Sequence, residues 1–533
     1  MDTRIVKPKD VDAVAKLFND RPWVKQGTWP GSFLWFTAIL ESFSEQWTGR
    51  VLSPRLAIQD YACIGQPHGA YDCLIGANCF SDLRQVMEDE YAELGPSYFR
   101  NYADICEKTY EEWLAFSQSV AEQGNELDKL SNLELANLLH QYFVLMRENG
   151  NFQDTIIVLA DFLGDVVGSS IDEVLKKYGI EDPRAYGLFL EIHSSSPRPT
   201  NLMESESSIR AMVQMIREST ELYSLFNTEK PPKITDSLER DRKSLYIALQ
   251  DHLYRFGWLS TYSFSGEPFT MEQIVELIQG RLEDLDTSEE HQSTLQLDAT
   301  TDELARQLKN IDVPRELQEL LEVTSLLTYI NSAKDDVHQI TWRDIQILTK
   351  IVASRLGCTV HDLTLLTPQE LERALNEGRA HRDLLASREK GWALLKVGDM
   401  LHIVQGEKEL ETLRERIKPI LPKDVKTLTG RAIFPGIVRG KARLVLTSQD
   451  CDKVEVGDIL VATNTNPDFI PAMHRAAAFV TDTGNLICHA VIAAREFKKT
   501  CVISTQIATQ ILVDGELVEV DGSAGTVTRL GAL

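Results

Sequence analysis

His489 lies in the stretch Thr481-Asp-Thr-Gly-Asn-Leu-Ile-Cys-His-Ala-Val-Ile-Ala-Ala-Arg-Glu-Phe497. An apolar run at 477–480 leads into a turn marked by Gly484 and Asn485, and an alanine-rich helical pattern starts near Cys488. This order predicts an imidazole in the first turn of a helix, next to a glycine turn. Backbone N–H groups without intrahelical acceptors and the positive end of the helix dipole meet there. Such a place favours a group that carries negative charge, phosphate above all. A histidine so placed can take a phosphoryl group on a ring nitrogen and hand it on. Taken alone, a histidine at a helix start is more often a satisfied residue of a small α/β domain, so the surrounding residues have to decide. Arg495, six residues on, is under two helical turns away and need not face His489. It either supports a phosphoryl group or is a solvated helix residue. Cys488 and Cys501 flank the helix, and Cys488 is expected to pack against a sheet.

Other residues could also do chemistry. Cys63, His68, Cys73 and Cys79 are soft ligands, but their gaps exceed the two to four residues of a zinc knuckle. Inert buried thiols and no metal are expected. Four of the eight tryptophans, Trp23, Trp29, Trp35 and Trp47, fall in the first fifty residues. The segment Trp29-Pro-Gly-Ser-Phe-Leu-Trp-Phe36 either walls an aromatic pocket or packs a core, the commoner use. A hydroxyl that attacks phosphorus must lose its proton, so a nearby base helps. His252, set among aromatic residues, is the candidate, with a satisfied helix histidine as the alternative. His338 and His140 rank lower, since only helical pattern surrounds them.

The elements that must position these groups divide the chain. From Lys441 onward, short β runs at 442–446, 459–462, 477–480, 500–503 and 517–520 alternate with helical pieces, the pattern of a compact α/β domain. Before about residue 420 the signals are helical. Ser131-Asn-Leu-Glu134 reads as a capping box opening a run through Leu138, Leu139, Tyr142, Leu145 and Met146. Thr270-Met-Glu-Gln273 repeats the pattern, and Thr367-Pro-Gln-Glu370 adds a proline at the first helical position. The expected architecture is multidomain: a large all-α region, 1–418, a hinge, 419–428, and a C-terminal α/β domain, 429–533. Two prolines in Lys418-Pro-Ile-Leu-Pro-Lys-Asp424 suit the hinge. The polar stretch 286–301 suggests a subdomain break, and 194–200 a loop.

At 533 residues, 25% charged and 43% hydrophobic, the chain is globular, with two or three domains expected. A net charge of −25 argues against nucleic acid and anionic membrane as partners, since both demand a basic face. No apolar leader begins the sequence and no run approaches twenty apolar residues, so neither a signal peptide nor a membrane span is expected. The eight cysteines show no disulfide framework, which fits reduced thiols in a cytoplasm.

Seven blocks around His489 occur in a recognisable order. They are Gly430-Arg-Ala-Ile-Phe-Pro-Gly436, Gly440-Lys-Ala-Arg-Leu-Val445, Gly457-Asp-Ile-Leu-Val461, Asn466-Pro-Asp-Phe-Ile-Pro-Ala-Met473, the histidine segment, Ala508-Thr509 with Asp514-Gly515, and Val520-Asp521-Gly522 with Gly525. Together they resemble the phosphohistidine swivelling domain of phosphoenolpyruvate synthase and pyruvate phosphate dikinase. The resemblance implies that His489 carries the phosphoryl group, with Gly484, Cys488 and Arg495 around it. Two departures stand out. Gly484-Asn485-Leu486-Ile487 replaces the family's two glycines and hydroxyl residue, and Val491 replaces a second alanine.

The segments Asp362-Leu-Thr-Leu-Leu-Thr-Pro-Gln-Glu-Leu371 and His252-Leu-Tyr-Arg-Phe-Gly-Trp258, with Tyr262 downstream, resemble the helical acceptor domain of rifampin phosphotransferase-type proteins. An acceptor site with His252, Trp258, Tyr262 and Trp29 is the expectation. The first 425 residues show neither a P-loop nor the strands and Gly-rich loops of an ATP-grasp domain. The sequence also ends about forty residues past His489, where a phosphoenolpyruvate-binding barrel would follow. That layout resembles the histidine-bearing subunit of phenylphosphate synthase. It implies ATP and Mg²⁺ acting through a separate ATP-grasp protein, and a small-molecule hydroxyl acceptor. Two alternatives stand beside it: a non-catalytic docking or regulatory module, and an enzyme of different chemistry on the same architecture.

Overall fold

Trp392–Val397 and Met400–Gln405 are apolar runs joined by Gly398-Asp399, a pair suited to a two-residue hairpin turn. The computed structural model describes residues 2–20, 23–29, 32–43, 58, 60–65, 71–182, 185–193, 198–260, 268–291, 299–417, 425–465, 469–484 and 488–531. In it the two runs form the hairpin, with Gly398 at φ +55°. They belong to a six-stranded sheet of β1 (Asp2–Ile5), β2 (Trp23–Trp29), β3 (Asp60–Gly65), β4 (Tyr71–Gly76), β5 (Trp392–Val397) and β6 (Met400–Gln405), in the order β1-β6-β5-β3-β4-β2. All its pairings are antiparallel except β1 with β6. The large helical region is present, but an all-α reading of 1–418 omits this sheet. A lone run of four to seven apolar residues cannot be told from a piece of buried helix by periodicity. Here β1 with β6 and β3 with β5 pair across more than three hundred residues.

One face of the sheet buries Ala62, Ile64, Ala393, Leu395 and Val404 against the helices Val11–Asn19 and Glu407–Arg416, which contribute Val14, Leu410 and Leu413. Lys396 is a polar intruder in β5. Its ammonium donates to Ile58 O at 2.6 Å, and burial pushes its pKa down to about 8.

All three capping boxes form. Ser131 N meets Glu134 Oε2 at 2.7 Å, Thr270 N meets Gln273 Oε1 at 2.9 Å, and Thr367 N meets Glu370 Oε2 at 2.9 Å. Each hydroxyl accepts in return from the N3 amide, at 3.3, 3.3 and 3.2 Å. A cap of this kind contributes about 1 kcal/mol. Glu370 also receives both terminal nitrogens of the buried Arg388, so one carboxylate ends a helix and neutralises a buried cation.

Two compact units emerge. The first joins Met1–Asp165 to Lys334–Val425, and the second joins Val166–Thr261 and Gly266–Ala333 to Lys426–Leu533. The second unit has a helical core in which Ile209, Val213 and Ile216 of the helix Asn201–Arg217 meet Leu245 and Leu249 of Lys243–Phe256 and Ile274, Ile278 and Leu282 of Met271–His291. Its other part is the expected α/β domain. Eight strands, β7 (Thr427–Thr429), β8 (Arg431–Phe434), β9 (Ile437–Leu444), β10 (Ile459–Ala462), β11 (Ala478–Thr481), β12 (Thr500–Ile503), β13 (Leu517–Asp521) and β14 (Thr526–Gly531), take the order β7-β14-β13-β9-β10-β11-β12-β8. β9 to β12 run parallel, and β10, β11 and β12 are buried at every position. Such strands suit a parallel sheet covered on both faces. Of the expected hinge 419–428, residues 419–424 lie outside the described residues and 427–428 begin β7, and much of the 286–301 stretch is also outside the described residues. Among the described residues no helix is long and apolar enough to cross a membrane.

Candidate functional site

Three parallel strands end at the same edge: β10 in Thr463-Asn464-Thr465, β11 in Asp482-Thr483-Gly484, and β12 in Ser504. Open α/β sheets bind ligands beyond the carboxyl ends of their strands. Backbone and hydroxyl bonds tie these ends together. Thr483 N and Thr483 Oγ1 both donate to Thr463 O, at 2.8 and 3.0 Å, and Ser504 Oγ donates to Gly484 O at 2.6 Å. Buried Asp482 gathers Thr505 Oγ1 at 3.3 Å, Thr509 N at 3.0 Å and the Thr509 hydroxyl. Ser504 and Gln506 hold φ at +60° and +69°. Non-glycine residues of this kind persist only where the surroundings impose the conformation.

His489 is the first residue of the helix His489–Phe497, and Cys488 is its N-cap in an extended conformation. The Val491 and Ile492 amides reach Cys488 O at 3.0 and 3.1 Å. The earlier amides of a helix have no intrahelical acceptor. Thr465 Oγ1 lies 2.9 Å from His489 Nδ1. Gly484 holds φ at +147°, and a Cβ there would come within 3.2 Å of both Cys488 Sγ and Ile503 Cβ. The turn therefore needs glycine for its conformation and for its space.

Arg495 is half-buried and lies within electrostatic reach of Cys501. Burial pushes the Cys501 thiol well up, Cys488 adds to that, and Arg495 opposes it. Cys501 is thus an inert thiol on β12 near the helix. The structure brings Gly484 and Cys488 beside His489 and places Arg495 near Cys501. The residue missed from sequence is Thr465. Its signal is a pair of threonines, Thr463 and Thr465, just past a buried apolar run.

The expected acceptor residues do not assemble in the same way. His252 is 1% exposed, its Nδ1 pairs with Ser208 Oγ at 3.0 Å, and its ring packs on Phe256 with centroids 5.1 Å apart. Burial, then Arg255, lowers its pKa to about 4 against a small opposing effect of Asp251. An imidazole so enclosed packs helices and is a weak base. Trp258 is buried in the turn Gly257–Ser260. Tyr262 lies outside the described residues, as does the Trp29 side chain at the end of β2.

The first unit holds its own aromatic cluster. Trp35 Nε1 donates to His338 Nδ1 at 3.4 Å, and Trp113 meets the same imidazole edge-on at 4.7 Å. Burial, then Lys334, lowers the His338 pKa to about 3. Trp35 is therefore core. Trp23 stacks on Phe18, while Trp47 lies outside the described residues. His140 is exposed and pairs with Glu372 at 3.0 Å. Cys63 and Cys73 face each other across β3 and β4 with sulfurs 3.1 Å apart, and Cys79 Sγ accepts from Asp60 N, while His68 is outside the described residues. Among the described residues no group of three or more His, Cys, Asp or Glu could hold a metal ion.

Residues 454–525, which include the β10 to β12 strand ends and His489, match the family described as "PEP-utilising enzyme, mobile domain". Residues 454–525 of this chain are therefore similar to the mobile domain of the PEP-utilising enzymes. A probable phosphoenolpyruvate synthase of Archaeoglobus fulgidus is 36% identical over 170 residues, covering 31% of this chain and 22% of that protein. The phosphoenolpyruvate synthase of Pyrococcus furiosus is 37% identical over 183 residues, covering 33% of this chain and 22% of that protein. Chondramide synthase of Chondromyces crocatus is 41% identical over 114 residues, covering 21% of this chain and 3% of that protein. The chain thus spans only about a fifth of the length of the first two relatives. The likeness is to part of each relative, and their names differ.

Proposed function

We propose that this chain is the phosphoryl-carrying component of a dikinase-type phosphotransferase. A separate ATP-grasp protein would load His489 from ATP and Mg²⁺. The mobile domain would then deliver the group to a hydroxyl on a small molecule held by the helical part of the chain. The observation that carries this reading is the 2.9 Å contact between Thr465 Oγ1 and His489 Nδ1, at the start of a helix in the mobile domain. When Nδ1–H donates to the threonine oxygen, the Nε2 lone pair is the nucleophile. Loading forms an N–P bond at Nε2 as the bond between the β-phosphorus and the oxygen of the leaving AMP breaks, and water releases the γ-phosphate as inorganic phosphate. The first-turn amides and the helix dipole then favour the dianionic group. Delivery reverses the polarity. The acceptor oxygen forms the new P–O bond, the N–P electrons return to Nε2, and the hydroxyl proton passes to a base or to water.

Splitting transfer into two steps lets each site suit its own transition state. The acceptor is proposed to sit by the helices Asn201–Arg217 and Lys243–Phe256, near the buried His252 and Trp258. The test uses ATP labelled in its phosphates. Incubated alone, the chain should take up no label. With an isolated ATP-grasp protein, acid-labile and base-stable label should appear on the His489 peptide as AMP forms. Stoichiometric labelling by the chain alone overturns the need for a partner. No label under either condition favours the docking-module reading.

A further inference from the structure

The helices Ile470–Arg475 and His489–Phe497 of the mobile domain pack on the helices Asn201–Arg217 and Met271–His291 within the same compact unit. We propose that this contact is the delivery station of the mobile domain, a docking surface on the helical part that presents His489 to the acceptor and is fastened by Glu206. The role as a delivery station rests on the carrier reading of His489; the docking surface itself does not.

The surface has an apolar and a charged half. Ile470 and Ile492 of the mobile domain form a buried cluster with Leu202. Ile492 lies three residues after His489 and so shares its helix face. Leu202 is the second residue of the helix Asn201–Arg217, whose N-cap Thr200 accepts from Met203 N at 3.2 Å. The face that bears His489 therefore meets the opening turn of that helix. The next helix along is Lys243–Phe256, which is tied to it by the His252–Ser208 bond and by Arg255–Glu204 at 2.8 Å.

Glu206 anchors the charged half. It is 3% exposed, and its carboxylate takes Arg281 Nη2 at 2.6 Å and Arg210 Nε at 3.2 Å from the helical side. From the mobile domain, His474 Nε2 stands 3.5 Å from its other oxygen. The Arg281 guanidinium also lies over the Phe497 ring at 5.3 Å, and Phe497 packs on His474 with centroids 4.3 Å apart. One carboxylate thus orders a cation from each of two helices and the two mobile-domain rings that meet them. Arg281, Lys499, Arg475 and Arg210 all bear on His474. Lys499 is itself engaged, donating to Met473 O at 3.2 Å, to Ala476 O at 2.6 Å and to His474 O. Without Glu206, the largely buried Arg281 would lose its carboxylate beside His474 and Phe497, and breaking a buried ion pair by removing one partner is strongly unfavourable. The docked state should open.

The test compares the full chain with Glu206→Ala and, from the opposite face, Ile470→Ala. Hydrogen exchange and the rate of His489 modification by diethyl pyrocarbonate are followed by mass spectrometry. Glu206→Gln keeps the volume and serves as the conservative variant. The expected result is several-fold faster exchange across 470–475 and 489–497 and several-fold faster modification of half-buried His489 in both alanine variants. Exchange in the 131–146 segment of the first unit should be unchanged, and Glu206→Gln should fall between. Wild-type exchange and modification in either folded alanine variant overturns the docking surface. Phosphorylation of His489 is scored separately in the wild-type chain with its donor. Opening of the variants without any phosphohistidine would retain the surface and remove its role as a delivery station.

Discussion

The two sheets of this chain are built in opposite ways. In the mobile domain, β9 to β12 come from residues 437–503, and each parallel strand hands the chain to a short connection at the same edge. In the first unit, β1 pairs with β6 across about four hundred residues, Asp2 opposite Met400 and Ile5 opposite Ile403. The first arrangement gathers strand ends into a site. The second closes the chain on itself, and its apolar interior serves cohesion. A side chain removed from one should therefore cost chemistry, and a side chain removed from the other should cost folding.

The largest effect expected is at His489. His489→Ala should abolish phosphohistidine formation while the unfolding transition moves little, since substitutions at partly exposed sites usually cost under about 1 kcal/mol. Retained transfer by the variant with its donor would remove the carrier role. The matching change in the other sheet is Leu394→Ala in β5, a wholly buried leucine. Losing it should cost about 3 kcal/mol, within the usual range for such truncations. Labelling of the molecules that remain folded should stay at the wild-type level. A large loss of labelling without a loss of stability would erase the contrast between the sheets.

Gly484→Val sharpens the comparison inside the mobile domain. The new side chain would meet Cys488 Sγ and Ile503 Cβ at a φ that β-branched residues avoid. About 1–3 kcal/mol of strain would fall on the turn that leads to His489. Labelling should slow markedly while the far strands β13 and β14 keep their exchange protection. Unchanged labelling would mean that the turn is not essential to the site.

How far each region could be foreseen follows from the range of its interactions. The capping boxes at Ser131, Thr270 and Thr367 are three-residue signals, and all three form. The short β runs of the mobile domain fall close to β9 to β13, because glycines and helical pieces punctuate them locally. In the sheet of the first unit only β5 and β6 have a local turn signal, Gly398-Asp399, their other neighbours β1 and β3 come from the start of the chain, and Lys396 inside β5 disguises a buried strand. Around His489, sequence pattern located the glycine turn and the helix start. Thr465 was not legible, since its contact spans 24 residues and depends on β10 and β11 being neighbours. Glu206 was hidden for the same reason, as its partners Arg281 and His474 come from two other helices.

Acid should strain both units. His252 in the second and His338 in the first have pKa values lowered to about 4 and about 3 from 6.5. For each, the unfolded chain binds the proton first. Stability is therefore unaffected above pH 6.5, declines as pH falls from 6.5 toward each folded value, and levels off below it. The slope is at most about 1.4 kcal/mol per pH unit for each histidine. Urea midpoints measured at pH 7 and pH 5 should differ, and His252→Gln should shrink that difference for the second unit alone. An equal pH response in wild type and variant would show that His252 protonates freely in the folded chain.

The smallest expected effect concerns Thr465. Valine has nearly the same shape but cannot accept from His489 Nδ1, so Thr465→Val removes one hydrogen bond and little volume. A single bond of this kind is worth about 1 kcal/mol, or about a fivefold slowing if it is realised in the transition state. Its proposed action is on the tautomer: with Nδ1–H held by the threonine oxygen, Nε2 keeps its lone pair for phosphorus. The loss should thus appear in the rate of loading rather than in the apparent affinity for the donor protein, and Thr465→Ser should restore most of it. Loading at the wild-type rate would show that the 2.9 Å contact only packs the ring.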